Sequence, residues 1–339
     1  MKRRTAQRVA VFVLFAAVSM VLSFQTDAAF ADDIADLKAA VAALFSRVIA
    51  LENKTSCMSA ANKGLDVYFV GCNVHIVNGL ADTETANGRG NLIIGYNEDA
   101  TELVPPRNAN VRTGSHNLVV GPYHTYSSYG GIVGGFFNSI TGNYATVTGG
   151  RENLASASYS SVSGGKQNRA SGKQASVTGG LNNLASGELA SVTGGHDGKA
   201  SGVQASVTGG SSNEANGFSA TVSGGWRNTA SGDSSSVSGG LDNKATAESS
   251  SVSGGLQNLA VGQFSSVGGG SVNTAGNSNK PNDASGGLYA VVSGGIGNSS
   301  AGNGAAIGGG QGVIAGEEGC WTAGGNNAVP APGTFNAGC

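Results

Sequence analysis

Among the residues whose types and spacing could do chemistry, the four cysteines come first: Cys57, Cys72, Cys320 and Cys339. Their number is even and no C-x-x-C occurs, so disulfides are expected rather than a zinc or redox site. Nearness in sequence favours Cys57–Cys72 and Cys320–Cys339. The histidines, His75, His116, His124 and His196, lack metal-ligand spacing, and scattered surface positions are the expectation. Ser163-Gly-Gly-Lys166 matches the S-x-x-K of acyl-transfer enzymes, but it lies within an ordinary repeat and its partner motifs are missing. Matches to G-x-G-x-x-G follow from a glycine content of 57 in 339 residues, and no βαβ unit surrounds them. The repeats also lack the regular Asp of calcium-binding β-rolls. These readings predict no catalytic centre, no cofactor and no metal.

The N-terminus has the form of an export signal. Lys2, Arg3 and Arg4 precede an apolar run from Val9 to Phe24, and Ala29-Phe30-Ala31 offers a small-x-small cleavage site before Asp32. Residues 1–31 are read as a signal peptide, which predicts a secreted or cell-surface protein. No later apolar run is long enough for a membrane-spanning helix, so no transmembrane anchor is expected in the mature chain. The net charge of −2 and the scarcity of Lys and Arg argue against a nucleic-acid groove.

The elements that hold these residues announce themselves through a repeat. From Val147 onward the consensus V-[ST]-G-G-x-x-N-x-A-S-G-x-x-[AS]-[ST] recurs with a period of 15 residues, as between Val162 and Val177. Its Val column is Val147, Val162, Val177, Val192, Val207, Val222, Val237, Val252, Val267 and Val292. Its Asn column is Asn138, Asn153, Asn168, Asn183, Asn213, Asn228, Asn243, Asn258, Asn273 and Asn298, interrupted at Gly198. An insertion near 276–287 delays Val292, and Ile132 reads as the start of a unit in the same phase. Upstream, Phe69-Val70-Gly71, Ile93-Ile94-Gly95 and Val119-Val120-Gly121 read as irregular coils of the same structure.

Gly-Gly and Ser-Gly break helices too often for helical hairpins. What remains is two short strands per unit, each paired in register with its copy one unit on. Coils then rise about 4.8 Å each, and a dozen make a rod of roughly 55–60 Å. The predicted fold is all-β, a parallel β-solenoid of 15-residue coils. Alternation turns Val inward, the next Ser or Thr outward and the first Gly inward. The Asn column reads as a structural amide ladder. Large residues at turns, namely Leu181, Phe218, Trp226, Leu241, Leu256 and Phe264, form a candidate contact surface, either between subunits or toward a ligand.

Before the repeats, Ile34, Leu37, Val41, Leu44, Val48 and Leu51 mark a short heptad seam. Val at one position with Leu at the other leans toward a two-stranded coiled coil. The domain reading is therefore a signal peptide at 1–31, a coiled-coil helix at 32–56, irregular coils at 57–131, regular coils at 132–336 and a tail at 337–339.

Units such as Gln174-Ala-Ser-Val-Thr-Gly-Gly-Leu-Asn-Asn-Leu-Ala-Ser-Gly187 resemble the head repeats of trimeric autotransporter adhesins of the YadA/Hep-Hag type. The resemblance implies a left-handed parallel β-roll, a homotrimer with an adjoining coiled coil, and adhesion to an extracellular protein or carbohydrate. The chain departs from that family in its period, in carrying Gly where an apolar residue is common, and in placing the coiled coil before the head. The family's C-terminal membrane barrel has no counterpart in this sequence. Adhesion or display is the expected function. An ice- or crystal-binding solenoid, or a purely structural fibre or coat component, is the alternative.

Overall fold

The computed structural model describes residues 28–103, 105, 107–277, 286–324 and 335–337. The apolar core of the predicted signal peptide, most of the insertion and Cys339 lie outside them. The chain divides into two compact units, residues 1–75 and 76–339.

In the first unit, helix α1 (Ala28–Lys54) carries the heptad seam. It begins before Asp32, so Ala29-Phe30-Ala31 has helical backbone. Strands β1 (Met58–Ala61) and β2 (Asp66–Phe69) form an antiparallel hairpin. The turn between them passes through Lys63 and Gly64, both with positive φ. A disulfide joins Cys57 to Cys72 across the open end of the hairpin, beside the Val70 N–H to Cys57 carbonyl hydrogen bond of 2.8 Å. Phe69-Val70-Gly71 therefore belongs to a hairpin and its end, not to a stacked coil.

The second unit is a parallel β-solenoid of about 13 coils. Each regular coil contributes two short strands. One contains the column Val, as in Ser176–Val177, and pairs in register with Ser161–Val162 and Ser191–Val192. The other contains an Ala, as in Leu184–Ala185, and pairs with Arg169–Ala170 and Lys199–Ala200. The first kind builds a 16-stranded sheet and the second a 13-stranded sheet. A third rank of single bridges runs from Phe136 through Leu181 and Trp226 to Gln311. The 16-stranded sheet begins at Leu92–Ile94 and ends on Phe335–Ala337, which pairs antiparallel with Trp321–Ala323.

Coil length varies at the start. Val133 pairs with Val147, and Ile132 pairs with Thr146 and is exposed. The buried column thus passes through Val133, and the phase read at Ile132 is off by one because this coil is a residue shorter than those that follow.

Short strands close into coils because the backbone turns through the left-handed region at regular stations. In the coil after Val177 these are Gly180 (φ 90), Asn182 (φ 56) and Leu189 (φ 60). Non-glycine residues seldom adopt such φ, yet most coils have two of them. The cost is offset by what the turns permit: unbroken ladders and a narrow interior. Val177, Ala185 and Ala190 are at most 1% exposed, and their equivalents form one continuous apolar cluster along the axis. Burying one Val stabilises by about 1.5–3 kcal/mol.

Candidate interaction faces

Every member of the Val column is buried, from Val147 to Val292. Every member of the Asn column is buried too, and its hydrogen bonds explain why an amide sits inside so thin a core. Asn168 Oδ1 accepts from the backbone N–H of Asn183 at 3.0 Å. Asn168 Nδ2 donates to the carbonyls of Gly164 and Gly180, each at 2.9 Å. One side chain thereby satisfies backbone groups of its own coil and of the next. An isolated buried amide would cost several kcal/mol. At the interruption, Gly198 N–H still donates to Asn183 Oδ1 at 2.8 Å, but Gly198 has no amide to offer Asn213.

His124 departs from the expectation of a surface histidine. It is fully buried and holds the Asn station one coil before Asn138. Asn138 N–H donates to its Nδ1 at 3.1 Å, and its Nε2–H donates to the Val120 carbonyl at 3.0 Å. Burial holds its pKa below the ordinary value, against the pull of the Val120, Asn138 and Gly135 carbonyls; the positive charge of Arg112 lowers it further. The signal was present in the sequence: His124 follows Val119 by the same interval as Asn138 follows Val133. Of the other histidines, His75 and His196 are exposed and His116 is partly exposed.

The first Gly of each pair departs from expectation as well. Thr178 is exposed, as alternation requires, but the strand ends at Val177 and the alternation lapses in the turn. From Gly164 to Gly254, a Cβ built on the first Gly of each pair meets nothing within 4 Å. None of these glycines has φ in the left-handed range. The result is a bare backbone strip running along the solenoid, bordered by the exposed Ser/Thr rank. The second Gly has a different reason for being Gly: Gly180 has φ 90, and a Cβ there would stand 2.2 Å from the Gly195 carbonyl oxygen.

The turn residues expected to form contacts occupy three columns. Leu181, Trp226, Leu241 and Leu256 lie in the rank of single bridges, with Trp226, Leu241 and Leu256 on successive coils. Phe218 follows its Gly directly, whereas Phe264 sits one station further on, at φ 58, and stacks on Tyr289 at 5.2 Å. Near the N-terminal coils is a patch that sequence reasoning missed. Tyr123, Phe136 and Phe137 pack together there, with Arg107 4.6 Å from the Phe137 ring and Arg151 5.4 Å from Phe136. Ion pairs between coils, such as Lys199 to Glu214 at 2.8 Å, lie on the surface. The Lys199 hydrogen bond holds the Glu214 carboxyl below its usual value.

In the first unit, Leu37, Leu44, Val48 and Leu51 of the seam are exposed, as are Val67, Tyr68, Phe69 and Val70 of the hairpin. Cys320 is buried and disulfide-bonded, and its expected partner Cys339 lies outside the described residues. Among the described residues no cluster suited to a metal ion occurs, and no helix is long and apolar enough to cross a membrane. The chain matches no family model and has no significant match among curated proteins.

Proposed function

We propose that this protein is an exported, non-catalytic surface rod that self-associates and displays its turn residues for attachment to cells or extracellular matrix. The observation that carries this reading is the division between columns. Inward stations repeat Val, Asn and Ala coil after coil, whereas outward turn stations change freely, as from Arg151 and Lys166 to Leu181, His196 and Trp226. A scaffold with a constant interior and a varied surface suits display. The resemblance of the repeats to trimeric adhesin heads supports three copies; the open seam of α1, whose apolar stripe needs a partner, supports association, and its lean toward two strands yields to that resemblance. The bare Gly strip would let a neighbouring backbone approach closely.

Light scattering on the mature chain tests the assembly, and adhesion to immobilised matrix proteins and glycans tests the role. A trimer that loses association when residues 32–53 are deleted, with its β-signal intact, is the expected outcome. A stable monomer at micromolar concentration would overturn the assembly. One feature favours a second reading. Eight successive coils, from Thr146-Val147-Thr148 to Ser251-Val252-Ser253, carry hydroxyls on both sides of the column Val. Such a double rank suits a periodic solid such as ice, and thermal hysteresis by the monomer would favour that role.

A further inference from the structure

We propose that His124 makes the first coils of the solenoid acid-labile, because it holds as a titratable imidazole the rung that Asn holds in the coils beyond. The geometry of the rung is that of its Asn counterparts. Asn153 N–H donates to Asn138 Oδ1 at 2.8 Å, and Asn138 N–H donates to His124 Nδ1 at 3.1 Å. Asn168 Nδ2 donates back to the Gly164 carbonyl four residues earlier, and His124 Nε2 donates to the Val120 carbonyl four residues earlier. An amide oxygen accepts at every pH, but Nδ1 accepts only while the ring is neutral.

Protonation would set an N–H against the Asn138 N–H inside a fully buried site. The Asn138 carbonyl lies 3.3 Å from Nδ1, but it already accepts from Thr125 N–H at 3.1 Å. The charged group that acts on the ring is Arg112, whose guanidinium pairs with Asp99 at 3.6 Å and disfavours a second positive charge. Among the described residues no carboxylate pairs with the imidazole to hold an imidazolium in place. The open coil exposes His124 to water, where its pKa returns to about 6.5. Stability of these coils is therefore fully present above about pH 6.5 and is lost as the pH falls from there through the lower value of the closed state. Opening would uncover Val119, Tyr126 and Val133, which are buried at neutral pH. The coils from Val147 to Val292 keep Asn or Gly at this station and the coil at Ile307 has Val313, so none of them has a titrating rung.

Amide hydrogen exchange of the mature protein, corrected for intrinsic rates, tests this at pH 7.5 and pH 5. Protection over 118–137 should fall at the lower pH, by up to tenfold for each unit between the open and closed pKa values. Protection over 177–260 should hold. His124→Asn should fold and keep its protection at both values. Unchanged protection in the natural chain, an equal loss in His124→Asn, or failure of that variant to fold would each overturn the proposal. So would an imidazole titrating at or above 6.5 by NMR.

Discussion

The backbone at Gly187 passes so close to the next coil that a Cβ built on it would stand 1.9 Å from the carbonyl oxygen of Gly202. At Gly179, in the same coil, a Cβ would meet nothing within 4 Å. The same substitution should therefore have opposite outcomes at the two sites. Gly187→Ala requires a local shift of the kind that the coils with Ala157 and Ala247 at this station accommodate, and should cost about 1 kcal/mol. Gly179→Ala should leave the coil intact, and repeating it at Gly194 and Gly209 should weaken only association. Urea unfolding with parallel light scattering separates the two effects.

Val207→Asp places a carboxylate in the apolar column, where an unpaired charge costs several kcal/mol. Protease sensitivity should appear near that coil and spread to its neighbours, because each coil rests only on the next. Ser212→Asp, at a turn with φ 55, should be tolerated, since Asp readily adopts that conformation. Equal behaviour of the two variants in limited proteolysis would contradict the inward assignment of Val207.

Gly198 leaves a rung out of the Asn ladder, and Gly198→Asn should restore it. The gain is about 1–2 kcal/mol, from reduced freedom of the unfolded chain and new hydrogen bonds to buried backbone. The Cβ must fit 3.0 Å from Asn183 Oδ1 and 3.3 Å from Val207 Cγ1, a tight space that the other rungs accommodate. A denaturation midpoint no higher than that of the natural chain would show that this coil cannot relax to take the side chain.

Val272 is a β-branched residue at φ 56, a conformation such residues rarely adopt. Val272→Asn should stabilise by about 1 kcal/mol, because Val272 is half exposed and little packing is lost. Calorimetry on the two proteins checks the sign.

The Val and Asn columns were legible because a repeat with a fixed period exposes inward stations as fixed residue types. Stations that need positive φ without glycine, such as those of Asn182 and Leu189, were not. Their constraint is on the backbone, and their side chains range from Tyr144 to Ser249. The outward turn of Gly179 was hidden because alternation applies only while a strand lasts. His124 escaped notice because the repeat was phased from Val147 at a constant interval, whereas the coil that begins at Val133 is shorter. The β1–β2 hairpin escaped because Phe69-Val70-Gly71 imitates a coil, although Asn62-Lys63-Gly64 between two apolar stretches was a turn signal.

The hydrogen bonds of both ladders run from coil to coil, along the axis, and this orientation sets how the molecule bears mechanical load. Tension between its ends pulls each coil away from the next, so bonds yield a few at a time from the gripped end. One coil of 15 residues occupies about 4.8 Å of axis when stacked and about 50 Å when drawn out. Force–extension traces should therefore show a train of small steps of roughly 45 Å. A solenoid built this way should lengthen under strain by shedding coils one after another.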